Sequence, residues 1–127
     1  MGISVILTEL SGNYAVCRLE AAQPIPSWAD GPGFVSISRT ALELSIVCLR
    51  ERVPDGVTMS DGWACFRFEG PFAFDETGIV SSVVGPLSAA GIGVFVVSTF
   101  DGDHLLVKST DVLNARATLV EAGHRPG

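Results

Sequence analysis

Asp75, Glu76, Thr77 and Gly78 stand where an apolar strand gives way to an apolar helix, in a chain with few charges elsewhere. The next apolar strand ends on two hydroxyls, Ser98 and Thr99. A strand-to-helix corner leaves the first backbone amides of its helix without intrahelical partners, and such amides bind carboxylates. With Ile79 opening the helix, the amides behind Gly78 suit the carboxylate of a small zwitterion. Asp75 or Glu76 suits its ammonium group, and Ser98 and Thr99, at the same edge of the sheet, can hydrogen-bond its polar head.

Each of these residues also has a plainer role. Asp75 or Thr77 can cap the helix, a contact worth about 1 kcal/mol. Gly78 can supply a backbone angle or a close contact that other residues do not permit. Hydroxyls at strand ends are common, and capping and ligand binding can coexist on different residues. Ser36, Ser38 and Arg39 mark the matching strand end in the first half; a surface pairing of Arg39 with Glu43 is the expectation there. Trp28 and Trp63 are assigned to packing at a module junction. His104 and His124 have no acidic or cysteine cluster around them, so neither a metal nor another cofactor is expected. Cys17, Cys48 and Cys65 lack C-x-x-C spacing and read as reduced, buried thiols. No nucleophile elbow, Walker loop or dinucleotide fingerprint occurs, and no enzyme activity is expected.

The elements that must position these residues follow from periodicity. "ISVILTEL" and "YAVCRLE" read as strands, with Ser11, Gly12 and Asn13 between them as a hairpin turn. "AAQPIPSWADGPG" is a loop with a helical turn near Trp28, "GFVSISRT" a strand, "ALEL" one turn of helix, and "SIVCLRERV" a strand. In the second half "WACFRFEG" is a strand. Ile79, Val80, Val83, Val84 and Leu87 then follow helical spacing over 77–90, with Gly91 as the stop and a kink expected at Gly85 and Pro86. "IGVFVVSTF" carries apolar residues at both parities, which implies cover on both faces. "HLLVK" completes a hairpin, and Ser109 or Thr110 caps a last helix ended by Gly123. A strand from the first half is expected to complete the second sheet, and the first half reads as a copy whose helices have shrunk. The boundary is placed in 54–62, giving modules 1–60 and 61–127.

At 127 residues, modules of about sixty are marginal alone, so the halves are expected to be fused. The chain is 47% hydrophobic and 17% charged, too apolar for disorder and rich enough to meet a partner chain. The formal charge of -6 repels phosphate backbones and anionic membranes, so neither nucleic acid nor membrane is an expected partner. The opening segment is too short for an export signal and no run approaches a membrane span of roughly 18 apolar residues, which implies a cytoplasmic protein.

The segment "FAFDETGIVSSVVGPLSAAGIGVFVVSTFDGDHLLVK", together with "FVSISRTALELSIVC", resembles the ACT family of regulatory modules. The likeness extends to small tandem proteins, the regulatory half of aspartokinase and cytosolic arginine sensors. Gly102 and His104 stand where relatives often carry threonine and tyrosine. The resemblance implies an α+β fold of tandem ferredoxin-like modules, antiparallel sheets with helices on one face. It also implies a non-enzymatic, amino-acid-binding sensor, a homodimer, and a protein partner that reads the liganded state. The site it implies is Asp75, Glu76, Thr77, Gly78 and Ile79 with Ser98 and Thr99. The competing reading is a structural module that keeps only an oligomerising sheet.

Overall fold

The protein is described here by a computed structural model that covers residues 3–70 and 77–127. In chain order the strands of the first part are β1 (Ile6–Glu9), β2 (Tyr14–Leu19), β3 (Ser36–Arg39), β4 (Leu44–Leu49) and β5 (Thr58–Phe68). Then come helix α1 (Ile79–Ala89), strands β6 (Val94–Ser98) and β7 (Asp103–Lys108), helix α2 (Val112–Glu121) and the short β8 (Arg125–Pro126). Contacts divide the chain into two compact units, Ser11–Trp63 and Met1–Leu10 with Ala64–Gly127.

In the unit Ser11–Trp63, β3, β4, β2 and the first residues of β5 pair antiparallel. Side chains alternate across a strand, so Ala15 and Cys17 of β2 share one face with Leu44, Ile46 and Cys48 of β4. Ala29 and Val53 close this small core, with Trp28 packed against it. Its only helical turns are the 3-10 segments Ser27–Ala29 and Arg50–Arg52. Residues 41–43 are not helical. The Thr40 hydroxyl accepts from the amides of Leu42 and Glu43, both at 3.1 Å, and closes a tight β3–β4 turn instead.

In the other unit one face of the strands packs under the helices, while Cys65 of β5 and Leu106 of β7 are buried at the opposite parity. Ala64, Phe66 and Phe68 of β5 face the core with Val5, Leu7, Leu105 and Val107, and both helices cover that face through Val83, Leu87, Ala115 and Leu119. Strand β1 pairs with the last residues of β5, Leu7 opposite Phe68, so the first half does supply a strand to this sheet. The expected β1–β2 hairpin does not form: β1 pairs with β5 and β8, and β2 with β4 and β5. Burial decides this, because Val5 and Leu7 belong to the helix-covered core while Ala15 and Cys17 belong to the other. Strand β8, which periodicity did not reveal, lies parallel to β1.

Both helices end in the same way. Gly91 and Gly123 take positive φ (78° and 95°). The Ile92 amide donates to the Leu87 carbonyl and the His124 amide to that of Leu119, both at 2.9 Å. These bonds are the Schellman closure that glycine permits. Helix α1 continues through Pro86 to Ala89. At α2 the expected cap by Ser109 or Thr110 is absent: Ser109–Asp111 form a 3-10 turn leading to an N-cap, Asp111, that makes no side-chain cap bond. No helix among the described residues is long and apolar enough to cross a membrane.

Candidate functional site

Asp75 and Glu76 lie outside the described residues. Beyond them the chain passes through the exposed Thr77 to Gly78, the N-cap of α1, which takes a left-handed conformation (φ 83°, ψ -5°) that disfavours every residue with a Cβ. No side chain among the described residues caps this helix, so Thr77 does not. The first turn is fixed from below: the Ser82 amide donates to the Gly78 carbonyl at 3.0 Å and the Ser82 hydroxyl to the Ile79 carbonyl at 2.7 Å. Ile79 packs its side chain against the core. Glycine, a start that no described side chain caps and an anchored first turn make the kind of helix end at which backbone amides donate to an anion.

Ser98 and Thr99 serve the β6–β7 turn. The Ser98 hydroxyl donates to Asp103 Oδ1, while the Thr99 amide and hydroxyl donate to the Gly102 carbonyl at 2.7 and 3.0 Å. Their donors are thus spent within the hairpin. Thr99 nevertheless lines a cavity of about 320 Å³ with Arg67, Phe68, Glu69 and Gly70 from the end of β5 and Asp101, Gly102, Asp103 and His104 from the turn and β7. Gly78 and Ile79 are not among its described lining residues. Of the described residues chosen from sequence, Thr99 alone is brought to it.

The cavity wall is electrostatically ordered. Glu69 Oε2 accepts from the Thr8 hydroxyl at 2.7 Å and from Arg67 Nε and Nη2 at 3.1 and 3.0 Å. The Thr8 bond first, then those from Arg67, hold the Glu69 carboxyl below the usual carboxylate range. Burial, and then the Arg67 charge, lower the His104 pKa and keep the ring neutral. The lining residues include three carboxylates, those of Glu69, Asp101 and Asp103, against one guanidinium, that of Arg67, which is paired with Glu69; this balance favours a cationic group. The sequence reading missed Thr8, Arg67, Glu69, Asp101 and Asp103. Their signal was parity: Arg67 and Glu69 alternate with Phe66 and Phe68, on the face of β5 turned away from the helices.

Two further expectations resolve here. Arg39 does not pair with Glu43; its guanidinium reaches the Ala21 carbonyl and ties down the loop after β2. The three cysteines are free and buried. Burial pushes the thiol of Cys17 up to about 11 and that of Cys65 up to about 12, so neither supplies a thiolate near neutrality.

A family model described as an ACT domain matches residues 58–121, half of the chain, and a model for an N-terminal domain matches residues 12–56. A crystal structure of a protein from Agobacterium tumefaciens is 58% identical, with a TM-score of 0.95 over 99% of this chain and 94% of that one. An aspartate kinase from Clostridium acetobutylicum, at 14% identity and a TM-score of 0.68, shares the fold over 94% of this chain and 34% of its own. The bovine protein named cytosolic arginine sensor for mTORC1 subunit 1 is 39% identical over 97 residues. That match covers 66% of this chain and only 30% of the bovine protein. The fold is the ACT-like α+β arrangement, its strands antiparallel except for the parallel pair β1–β8, with both helices on one face.

Proposed function

Because this chain belongs to the ACT-domain family, we propose that it is a non-enzymatic regulatory protein that binds a free amino acid, with a cationic one preferred. The observation that carries this reading is the cavity of about 320 Å³, roomy enough for one amino acid, whose charged wall is held in place by the Thr8–Glu69–Arg67 bonds. Its excess of carboxylates suits an ammonium or guanidinium group. The start of α1 at Gly78 and Ile79, with Asp75, Glu76 and Thr77 before it, is a further proposed contact for the ligand carboxylate beyond the described lining of the cavity; Thr99 lines the cavity and Ser98 braces its turn through Asp103. The name of the bovine relative, an arginine sensor, supports the same ligand class.

The proposal includes two modules, 1–60 and 61–127, a cytoplasmic location, a homodimer, and a partner protein that distinguishes the liganded state. A ligand shifts such an equilibrium only by its difference in affinity for the two states. The test is a thermal-shift and calorimetric screen of the twenty amino acids at millimolar concentration, with Glu69→Gln as control. Stabilisation by arginine or lysine that Glu69→Gln weakens is the expected result. No shift with any amino acid overturns the reading.

The second reading, a structural oligomerising module, draws on β6. Among the described residues that strand pairs with β7 alone; Val94 and Val96 pack against the helix-covered core, while Phe95 and Val97 on the other face are partly exposed, where the sequence implied cover by a second sheet or another protomer. A monomer at high concentration by light scattering removes that alternative.

A further inference from the structure

Helix α1 contains a gap in its hydrogen bonding that the fold fills from elsewhere. Pro86 has no N–H, so the carbonyl four residues earlier, that of Ser82, loses its helical donor. His124 Nε2 lies 2.8 Å from that carbonyl. On the other side of the ring the Val5 amide donates to His124 Nδ1 at 3.0 Å. An amide cannot accept, so Nδ1 is the bare nitrogen and Nε2 carries the proton. His124 is 4% exposed, and it is the residue delivered by the Schellman turn after Gly123. The Ser4 hydroxyl, donating to the Gly123 carbonyl at 2.8 Å, fixes the same turn to the start of β1.

We infer that His124 is a side-chain latch: through Nε2 it replaces the backbone donor that Pro86 deletes, and through Nδ1 it ties α1 to the segment that leads into β1. The ionisable groups on the surrounding elements are Glu9 on β1, Arg116 and Glu121 on α2 and Arg125 on β8, while α1 has none. Glu9 is already paired with Arg116. Among the described residues the ring's hydrogen-bond partners are backbone groups alone. The latch acts on the turn that holds the start of α1, since Ser82 is also bonded to Gly78 and Ile79. His124 is thus a positioning residue for that helix end, whatever the cavity binds.

The experiment is a double-mutant cycle read by thermal unfolding, with imidazole nitrogen NMR on the full chain. At neutral pH the spectrum should show protonated Nε2 and bare Nδ1. His124 makes two bonds, and Pro86→Ala restores a donor for one of them. The Tm loss caused by His124→Ala should therefore fall to about half in the Pro86→Ala background. His124→Gln keeps one donor and one acceptor, whereas His124→Leu fills the space with neither. The Val5, Gly78 and Ser82 amide resonances should stay near their native positions in the glutamine variant and move together in the leucine variant. Equal Tm losses in the two backgrounds, a proton on Nδ1, or equal displacement of those amides in His124→Gln and His124→Leu each overturn the inference. The last two readouts hold even where His124→Ala fails to fold.

Discussion

Replacing Gly78 separates conformation from contact at the start of α1. An alanine there must hold φ near 83°, at a cost of about 1–2 kcal/mol. Its Cβ would lie 3.1 Å from Ile3 Cδ1, the free end of a side chain that is 38% exposed and able to give way. Conformation therefore outweighs crowding. With an unfolding entropy of about 2 cal/mol/K per residue over the chain, the loss corresponds to a fall in Tm of roughly 4–7 °C. Asparagine tolerates the left-handed region better than alanine although it is bulkier, so Gly78→Asn should melt above Gly78→Ala. Differential scanning calorimetry of the three proteins decides the matter. An alanine variant within about 1 °C of the native protein refutes the strain argument, and an asparagine variant below alanine shows that space governs. The same pair tests the helix end as a ligand seat: a well-folded Gly78→Asn protein should lose amino-acid stabilisation if the amides behind residue 78 hold the carboxylate.

His104 gives the pH dependence a sign. Its folded pKa is depressed by burial and Arg67, so the unfolded chain takes up protons first as pH falls through the ordinary value of 6.5. Stability is then complete above that value and declines below it; melting curves between about pH 7.5 and 5 should show part of this decline removed in His104→Gln, and identical slopes would contradict it. The buried thiols predict slow chemistry: with Cys17 at about 11 and Cys65 at about 12, a disulfide reagent near pH 8 should label them only as fast as the chain opens. Rapid labelling of the native protein would show that these thiols are not shielded.

What was legible in the sequence was whatever a local pattern imposes. Val83, Val84 and Leu87 recur at helical spacing and do line the core side of α1, and Gly91 and Gly123 mark helix ends because only glycine closes such turns cheaply. Partner choice was not legible. Nothing in "ISVILTEL" says whether its strand pairs with the next in sequence or with β5; that choice is settled by which core receives Val5 and Leu7. The candidate site divides the same way. Gly78 stands out by residue type, whereas Arg67 and Glu69 become a wall only when β5, β7 and the β6–β7 turn converge. Asp75 and Glu76 remain part of the proposal, outside the described residues.

The paired helix ends show how a repeated local device produces two different results. Leu87-Ser88-Ala89-Ala90-Gly91 and Leu119-Val120-Glu121-Ala122-Gly123 share leucine, alanine and glycine at matching places and close with the same two backbone bonds. The residue after the glycine is therefore aimed back toward the last turns of its helix in both cases. After α1 it is Ile92, 7% exposed, which joins Leu87 in the core as the motif ordinarily requires. After α2 it is His124, a polar ring in a place shaped for an apolar side chain, and such a ring is costly there unless both nitrogens are satisfied. Pro86 supplies the acceptor by leaving the Ser82 carbonyl without its helical donor, and Val5, just before β1, supplies its amide. Each exception makes the other tolerable: a proline within a helix and a histidine within a core, placed 38 residues apart by the numbering, answer a single hydrogen-bonding requirement. A chain with isoleucine at 124 would therefore be expected to need a residue other than proline at 86.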